Sequence, residues 1–307
     1  MTIHEHVMTF HGLPVTDFAI NEPPAGPTAW RVFVGTYGAD VEFADHWAHF
    51  LDTVDTAAVT ALVIGPWGEE MFNETADPAI ELIAGAHDRF PALTGIFLGD
   101  VIMEEAEISW IHQGDITPLL TAYPRLTELV VRGSESLRLN PVEHNALRSL
   151  RFESGGLPGE VVRAVAESKL PALQDLSFWL GVEDYGATWQ QADLAHILAG
   201  DTLGALRTLG LQNSDEQNSL ARWAAESAVV RQLETLDLSM GTLTDEGAEH
   251  LLSLTHLKSL DLHHHYLSDE MAQRLREALP DVRVDLSGKR DPDHYDDEVS
   301  YYTAIAE

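Results

Sequence analysis

Three aspartates, Asp237, Asp261 and Asp285, recur at a fixed offset of 24 residues, and a run of three histidines, His263 to His265, begins just after the middle one. Carboxylates and imidazoles gathered in one place can ligate a divalent metal through oxygen and nitrogen. Without a metal, the same groups make an acidic surface suited to a basic partner. Spacing alone does not choose between the two. Further up the chain, Arg132, Arg151 and Glu153 supply charge. Trp179 directly follows Phe178 and is expected to face outward, and an aromatic at the centre of an interface is a frequent hot spot. The chain contains no GxSxG, no Walker A, no HExxH and no GxGxxG after a strand. Serines, histidines and aspartates are plentiful, but no arrangement singles out a nucleophile. No catalytic residue is therefore assigned, and no cofactor is expected.

The elements that position these residues follow from the same period. Leu233, Leu236, Leu238 and Leu243 recur as Leu257, Leu260, Leu262 and Leu267, each 24 residues on. A period of this size marks stacked units that cannot bury their apolar faces alone. Leu236 and Leu238 alternate with Asp237, so the leucines point to one face of a short strand and the aspartate to the other. Thr244 and Ser268 stand where helix N-caps are expected, with Asp245-Glu246 and Asp269-Glu270 in the first turns. Ala248, Leu251 and Leu252 then give a helical stripe, as do Ala272, Leu275 and Leu279, and Pro280 stops the second helix.

The frame extends towards the N-terminus with irregular spacing. It begins at Val59-x-x-Leu62-x-Ile64 and continues through strands starting at Leu93, Leu126, Leu147, Leu173 and Leu206, and a shortened strand at Val282-x-Val284-x-Leu286 ends the row. The piece Leu126 to Ala146 holds Pro141 and little helical pattern, so an extended connection is expected there. Adjacent strands lie roughly 4.8 Å apart, so the outward residues should form a row: Val63, Phe97, Val130, Arg151, Ser177, Gly210, Asp237, Asp261 and Asp285. The positions two further on include Arg132, Glu153, Trp179, Gln212, Ser239, His263 and Ser287. The expected groove is apolar at its start, basic at Arg132 and Arg151, and acidic at its end. Stacked like charges are unfavourable unless a cation, a basic partner or water screens them.

Composition narrows the partners. The 307 residues carry 18 Lys+Arg against 50 Asp+Glu, a formal charge of −32. That disfavours phosphate backbones and anionic membranes, so neither nucleic acid nor membrane is expected. There is no cysteine, which removes disulfides and thiolate chemistry. No apolar run is long enough to span a bilayer. The start, MTIHEHVMTFHG, lacks a basic region followed by an apolar core, so no signal peptide is expected and the cytoplasm is the simplest compartment.

The Leu233 to Ser287 units resemble leucine-rich repeats of the ribonuclease-inhibitor-like class. Over nearly its whole length the chain resembles a family of uncharacterised bacterial leucine-rich-repeat proteins, through HGLPV, ALVIGPWGE, FPALTGIFLGD, EISWIHQGD and the pair LDLSMGTLTDEGA and LDLHHHYLSDEMA. The resemblance implies an α/β solenoid, with a curved parallel sheet on the concave side and helices on the convex side, and it implies a binding role. It carries over no catalytic residue. In this class His265 takes the place of a turn asparagine that bonds neighbouring backbone, while His263 and His264 are expected at the groove or its rim. The expected organisation is an N-terminal cap over 1–58, a solenoid over 59–287 and an acidic, aromatic cap or tail over 288–307. The leading expectation is a non-catalytic module that holds a protein or peptide with a basic patch on its concave face. The candidate residues are Trp179, Arg132, Arg151, Glu153, Asp237, Asp261, Asp285, His263 and His264. The alternatives are a metal-dependent hydrolase or accessory enzyme built on the aspartate ladder and His263, and a structural subunit of a larger complex.

Overall fold

A computed structural model describes residues 3–18, 26–295 and 298–306. The chain divides into two compact units. One runs to Glu153 and also takes in Ser168–Ala172; the other comprises Ser154–Glu167 and everything from Leu173.

In the first unit the elements are β1 (Thr9–Phe10), β2 (Leu13–Asp17), β3 (Ala29–Val34), α1 (Phe43–Thr53), β4 (Ala61–Trp67), α2 (Asp77–Gly85), β5 (Gly95–Leu98), α3 (Thr117–Ala122), β6 (Glu128–Arg132) and β7 (Ser149–Glu153). β1 and β2 form an antiparallel hairpin, and β2 through β7 pair in parallel in chain order. The segment before residue 58 thus contributes strands to the sheet itself. No helix forms between β6 and β7, as the proline-containing connection led one to expect.

The second unit holds α4 (Gly159–Glu167), β8 (Asp175–Gly181), α5 (Gln191–Ala199), β9 (Thr208–Ser214), α6 (Gln217–Glu226), β10 (Thr235–Asp237), α7 (Asp245–Glu249), β11 (Ser259–Asp261), α8 (Asp269–Ala278) and β12 (Arg283–Asp285), then a hairpin of β13 (Asp293–Tyr295) and β14 (Glu298–Ser300). β8 to β12 are parallel and in chain order. Both units follow the leucine-rich-repeat plan, an α/β solenoid in which strand and helix alternate.

The repeat frame is realised residue by residue. Leu62, Ile96, Leu129 and Leu150 are in register in the first unit, and Leu176, Leu209, Leu236 and Leu260 in the second; all are at most 1% exposed. Burying each such side chain stabilises by roughly 1.5–3 kcal/mol, which is why the leucine ladder sets the register. The outward row is also as expected within each unit: Val63, Phe97, Val130 and Arg151 are successive partners, as are Ser177, Gly210, Asp237, Asp261 and Asp285. Ser268 caps α8 by accepting the Met271 N–H at 3.1 Å. Thr244 does not cap α7 with its side chain; its hydroxyl accepts from Asn218 instead. His265 accepts the Leu267 N–H and donates to the Leu286 carbonyl, which fixes its tautomer and its structural role.

Three placements follow from the packing. Trp110 is 56% exposed, whereas its neighbour Ile111 is buried. Trp67 is buried. Val299, Tyr301 and Tyr302 do not cap the last strand and are exposed. Among the described residues of that tail, Ala304 and Ile305 are buried, and they lie against Met240 and Asn213.

Candidate binding surface

On the sheet face of the first unit, the outward row Val63, Phe97 and Val130 is apolar and cannot stay wet without cost. The chain covers it with its own N-terminus. Phe10 packs on these three side chains together with Ala29 and Ala61, with Val7, Leu13 and Val15 around them. The Phe10 and Phe97 rings meet edge to face at 5.8 Å. Beside them His11 lies against Gly95, where an added Cβ would come within 2.8 Å of the imidazole, and its two nitrogens reach Glu128 at 2.7 Å and Thr94 at 3.0 Å.

A buried charge network fastens this strap. Asp100 is fully buried and receives the Val7 N–H at 3.2 Å, Arg31 at 3.3 Å and Arg132 at 3.4 Å. Arg132 also bonds Glu153 at 2.8 Å and the Val101 carbonyl at 3.0 Å, and its guanidinium lies over the Phe97 ring. His6 sits 3.3 Å from both Asp100 and Glu105. Burial pulls the His6 imidazole down, but these two carboxylates outweigh it and raise its pKa to about 9. Burial pushes the Asp100 carboxyl up, and His6 and Arg132 more than reverse this, leaving it below the usual range.

Two of the candidate binding residues are therefore reassigned. Arg132 and Glu153, expected on an open groove, are each 4% exposed and bind one another. A buried guanidinium is tolerable only when paired, and the strap seals this pair from water. The expected apolar and basic start of a groove does not exist as an open surface. Arg151 alone remains exposed there, 3.6 Å from Glu153.

The second unit presents a different face. Asp237, Asp261 and Asp285 stand side by side, half-buried, and among the described residues no strap is hydrogen-bonded to them. Each accepts the backbone N–H two residues on, from Ser239, His263 and Ser287, at 2.9–3.0 Å. That local turn explains how like charges persist on adjacent strands: each carboxylate holds one fixed donor. Burial, with the Asp261 charge beside it, pushes the Asp237 carboxyl up; the bonds from Ser287 hold Asp285 down. His263 donates from Nδ1 to Asp261 at 3.0 Å, and this bond raises its pKa against the opposing effect of burial. Trp179, half-buried, is in register with Gln212. Ser177 donates to Gln212 at 2.6 Å, and Gln212 donates to Ser239 at 3.0 Å. This polar ladder was missed in the sequence, because its members occupy different strands and only the register brings them together.

His264, expected on the groove or its rim, serves the chain's own tail. Its Nε2 donates to the Tyr302 carbonyl at 3.0 Å, which also accepts from the Tyr266 hydroxyl. The tail continues by an Ala304 N–H to the Met240 carbonyl and a reciprocal pair between Asn213 and Ile305. Asn213, Met240 and His264 all have left-handed φ of 56–70°, a strained conformation for side-chain-bearing residues. The tail binds along that row of turns.

Among the described residues, no group of three or more His, Asp or Glu side chains is placed to hold a metal ion. Among the described residues, no helix is long and apolar enough to cross a membrane.

A Bacteroides fragilis protein, solved by crystallography as a structural-genomics target, matches with 34% identity and a TM-score of 0.79, over 87% of this chain and 74% of that one. The chain belongs to the same family. An internalin from Listeria monocytogenes aligns over 76% of this chain and 82% of its own at 14% identity and a TM-score of 0.32. No model of a known protein family matches the chain, and no curated protein does.

Proposed function

We propose that this protein is a non-catalytic binding module that holds a basic protein or peptide on the open sheet face of its second unit. The observation that carries this reading is the uncovered row Asp237, Asp261 and Asp285, whose carboxylates form no ion pair with any Lys or Arg among the described residues. His263, bonded to Asp261, tempers the row but leaves it acidic. Trp179 supplies an aromatic contact on the same face of this unit, and aromatic anchors and desolvated charge pairs dominate interface energetics. The net charge of −32 disfavours nucleic acid and anionic membranes as partners. The repeats themselves read as the ribonuclease-inhibitor-like class, a strand and a helix in about 24 residues, and leucine-rich repeats commonly bind proteins.

The test compares baits. Wild-type protein, Asp261→Lys and Trp179→Ala are each immobilised and exposed to extract from the native host. The reading expects a partner retained by wild type, released by raised salt, and lost or sharply reduced on both variants. A partner captured equally by all three baits would remove the sheet face as the binding site.

A further inference from the structure

The helix layer of the second unit is not evenly packed. α4 packs on α5, and α6 on α7. Between α5 and α6 lies a groove of about 520 Å³, walled by Ala192, Ala195 and Leu198 on one side and Trp223 on the other. The alanines are exposed and too short to close the gap. Through Gln191 and Trp223 the groove opens into a cleft of about 800 Å³, lined by Glu183, Trp189, Asp215 and Glu216 among others. Both tryptophans are half-buried.

The electrostatics of this mouth set it apart from its surroundings. Some acidic side chains of the unit are matched: Asp193 with Arg163, Glu234 with Lys258, Glu249 with Arg274 and Asp269 with Lys289. Glu183, Asp184, Asp215 and Glu216 enter no ion pair among the described residues, and no basic side chain lines either the groove or the cleft. Burial, then the charges of Glu216 and Asp184, push the Asp215 carboxyl up, as expected where like charges crowd together without a cation. Indole faces attract cations, Arg most often, and a carboxylate beside them completes the recognition of a guanidinium. Apolar walls leading away from such a mouth suit short aliphatic side chains.

We propose that the α5–α6 groove is a second docking site, taking a peptide segment of a partner protein that carries arginine next to small apolar residues. The guanidinium meets Trp189 or Trp223 and the Asp215 and Glu216 carboxylates, and the apolar neighbours lie along Ala195 and Leu198. This site is separate from the acidic sheet row and does not depend on it.

Isothermal titration of the full chain tests the assignment with two probes: a short alanine–leucine peptide carrying arginines, and the same peptide with glutamates in their place. The arginine peptide should bind saturably, more weakly as salt rises, and the glutamate peptide should not bind. Trp223→Ala should weaken the arginine peptide by about tenfold or more, the scale of one lost cation–π contact with its packing. Should that variant fail to fold by circular dichroism, the double change Asp215→Asn and Glu216→Gln, at exposed positions, carries the same expectation. Asp261→Lys should leave a saturable phase that Trp223→Ala removes, because an arginine peptide can also meet the sheet row. The proposal is overturned by absence of saturable arginine-peptide binding, by equal binding of the two peptides, by affinity that survives the groove variants, or by loss of binding in Asp261→Lys.

Discussion

The outward rows of the two units occupy equivalent positions in the same repeat frame, yet they end differently. In the first unit the row is Val63, Phe97 and Val130, and the chain's own N-terminus lies on it. In the second it is Asp237, Asp261 and Asp285, half-buried, and among the described residues no strap is hydrogen-bonded to it. Apolar surface is removed from water by whatever can reach it, and here a strap within the chain reaches it first. Carboxylates need no such cover. The second unit also has a strap, but it binds the left-handed turns at Asn213, Met240 and His264 and leaves the acidic row open. One repeat plan therefore yields one face sealed by the N-terminus and one acidic face: the residue between two buried apolar positions supplies the chemistry, and tertiary packing supplies the cover.

The contrast can be broken most forcefully at Asp100. It is fully buried and serves two arginines, His6 and the Val7 N–H. Asp100→Ala leaves Arg31 and Arg132 without their shared partner and should cost about 3–5 kcal/mol or more. Chemical denaturation followed by circular dichroism reads this directly, and a loss below about 1 kcal/mol would contradict a sealed network. Phe10→Ala attacks the same cover from its apolar side. It should cost about 3 kcal/mol and expose Val63, Phe97 and Val130 to a dye that reports apolar surface. Unchanged dye binding would mean the strap is not what keeps the row dry.

His6 gives the comparison a pH dependence. Its folded pKa of about 9 lies above the ordinary 6.5. Its contribution is therefore fully present below about pH 6.5 and is lost as pH rises through about 9. With a partly screened side chain the loss should be roughly 2–3 kcal/mol. Wild type should thus weaken across that window, and His6→Ala should show a flatter profile there. A wild-type stability that rises over the same range would refute the assignment. The smallest effect belongs to the open face. The Asp237 carboxyl is pushed up, so ionising it as pH rises from the acid range works against the folded state. Asp237→Asn keeps an oxygen for the Ser239 N–H and removes one charge from the row. It should change stability by less than about 0.5 kcal/mol, or raise it slightly, while weakening a basic partner. A marked fall in melting temperature would show that the row is structural and not a binding surface.

Much of this architecture was written locally. The 24-residue offset of Leu233, Leu236 and Leu238 marks the repeat, and a strand's period of two puts Leu236 and Leu238 on the inward face. The outward rows followed from the same alternation. The helix cap at Ser268 was legible because it acts within three residues, whereas the turn role of His265 was implied by the leucine-rich-repeat resemblance and reaches as far as Leu286. What lay beyond the sequence was the fate of the outward rows. Phe10 meets Phe97 across 87 positions, Asn213 meets Ile305 across 92, and Arg132 meets Glu153 and Asp100 only once three strands are aligned. The residue pattern states that Arg132 points outward and Val63 beside it is apolar. It does not state that a distant segment will close over both, because chain closure over such distances has no local signature. Tertiary packing made that choice, turning Arg132, Glu153 and His264 from binding candidates into fastenings and leaving the aspartate row as the free surface.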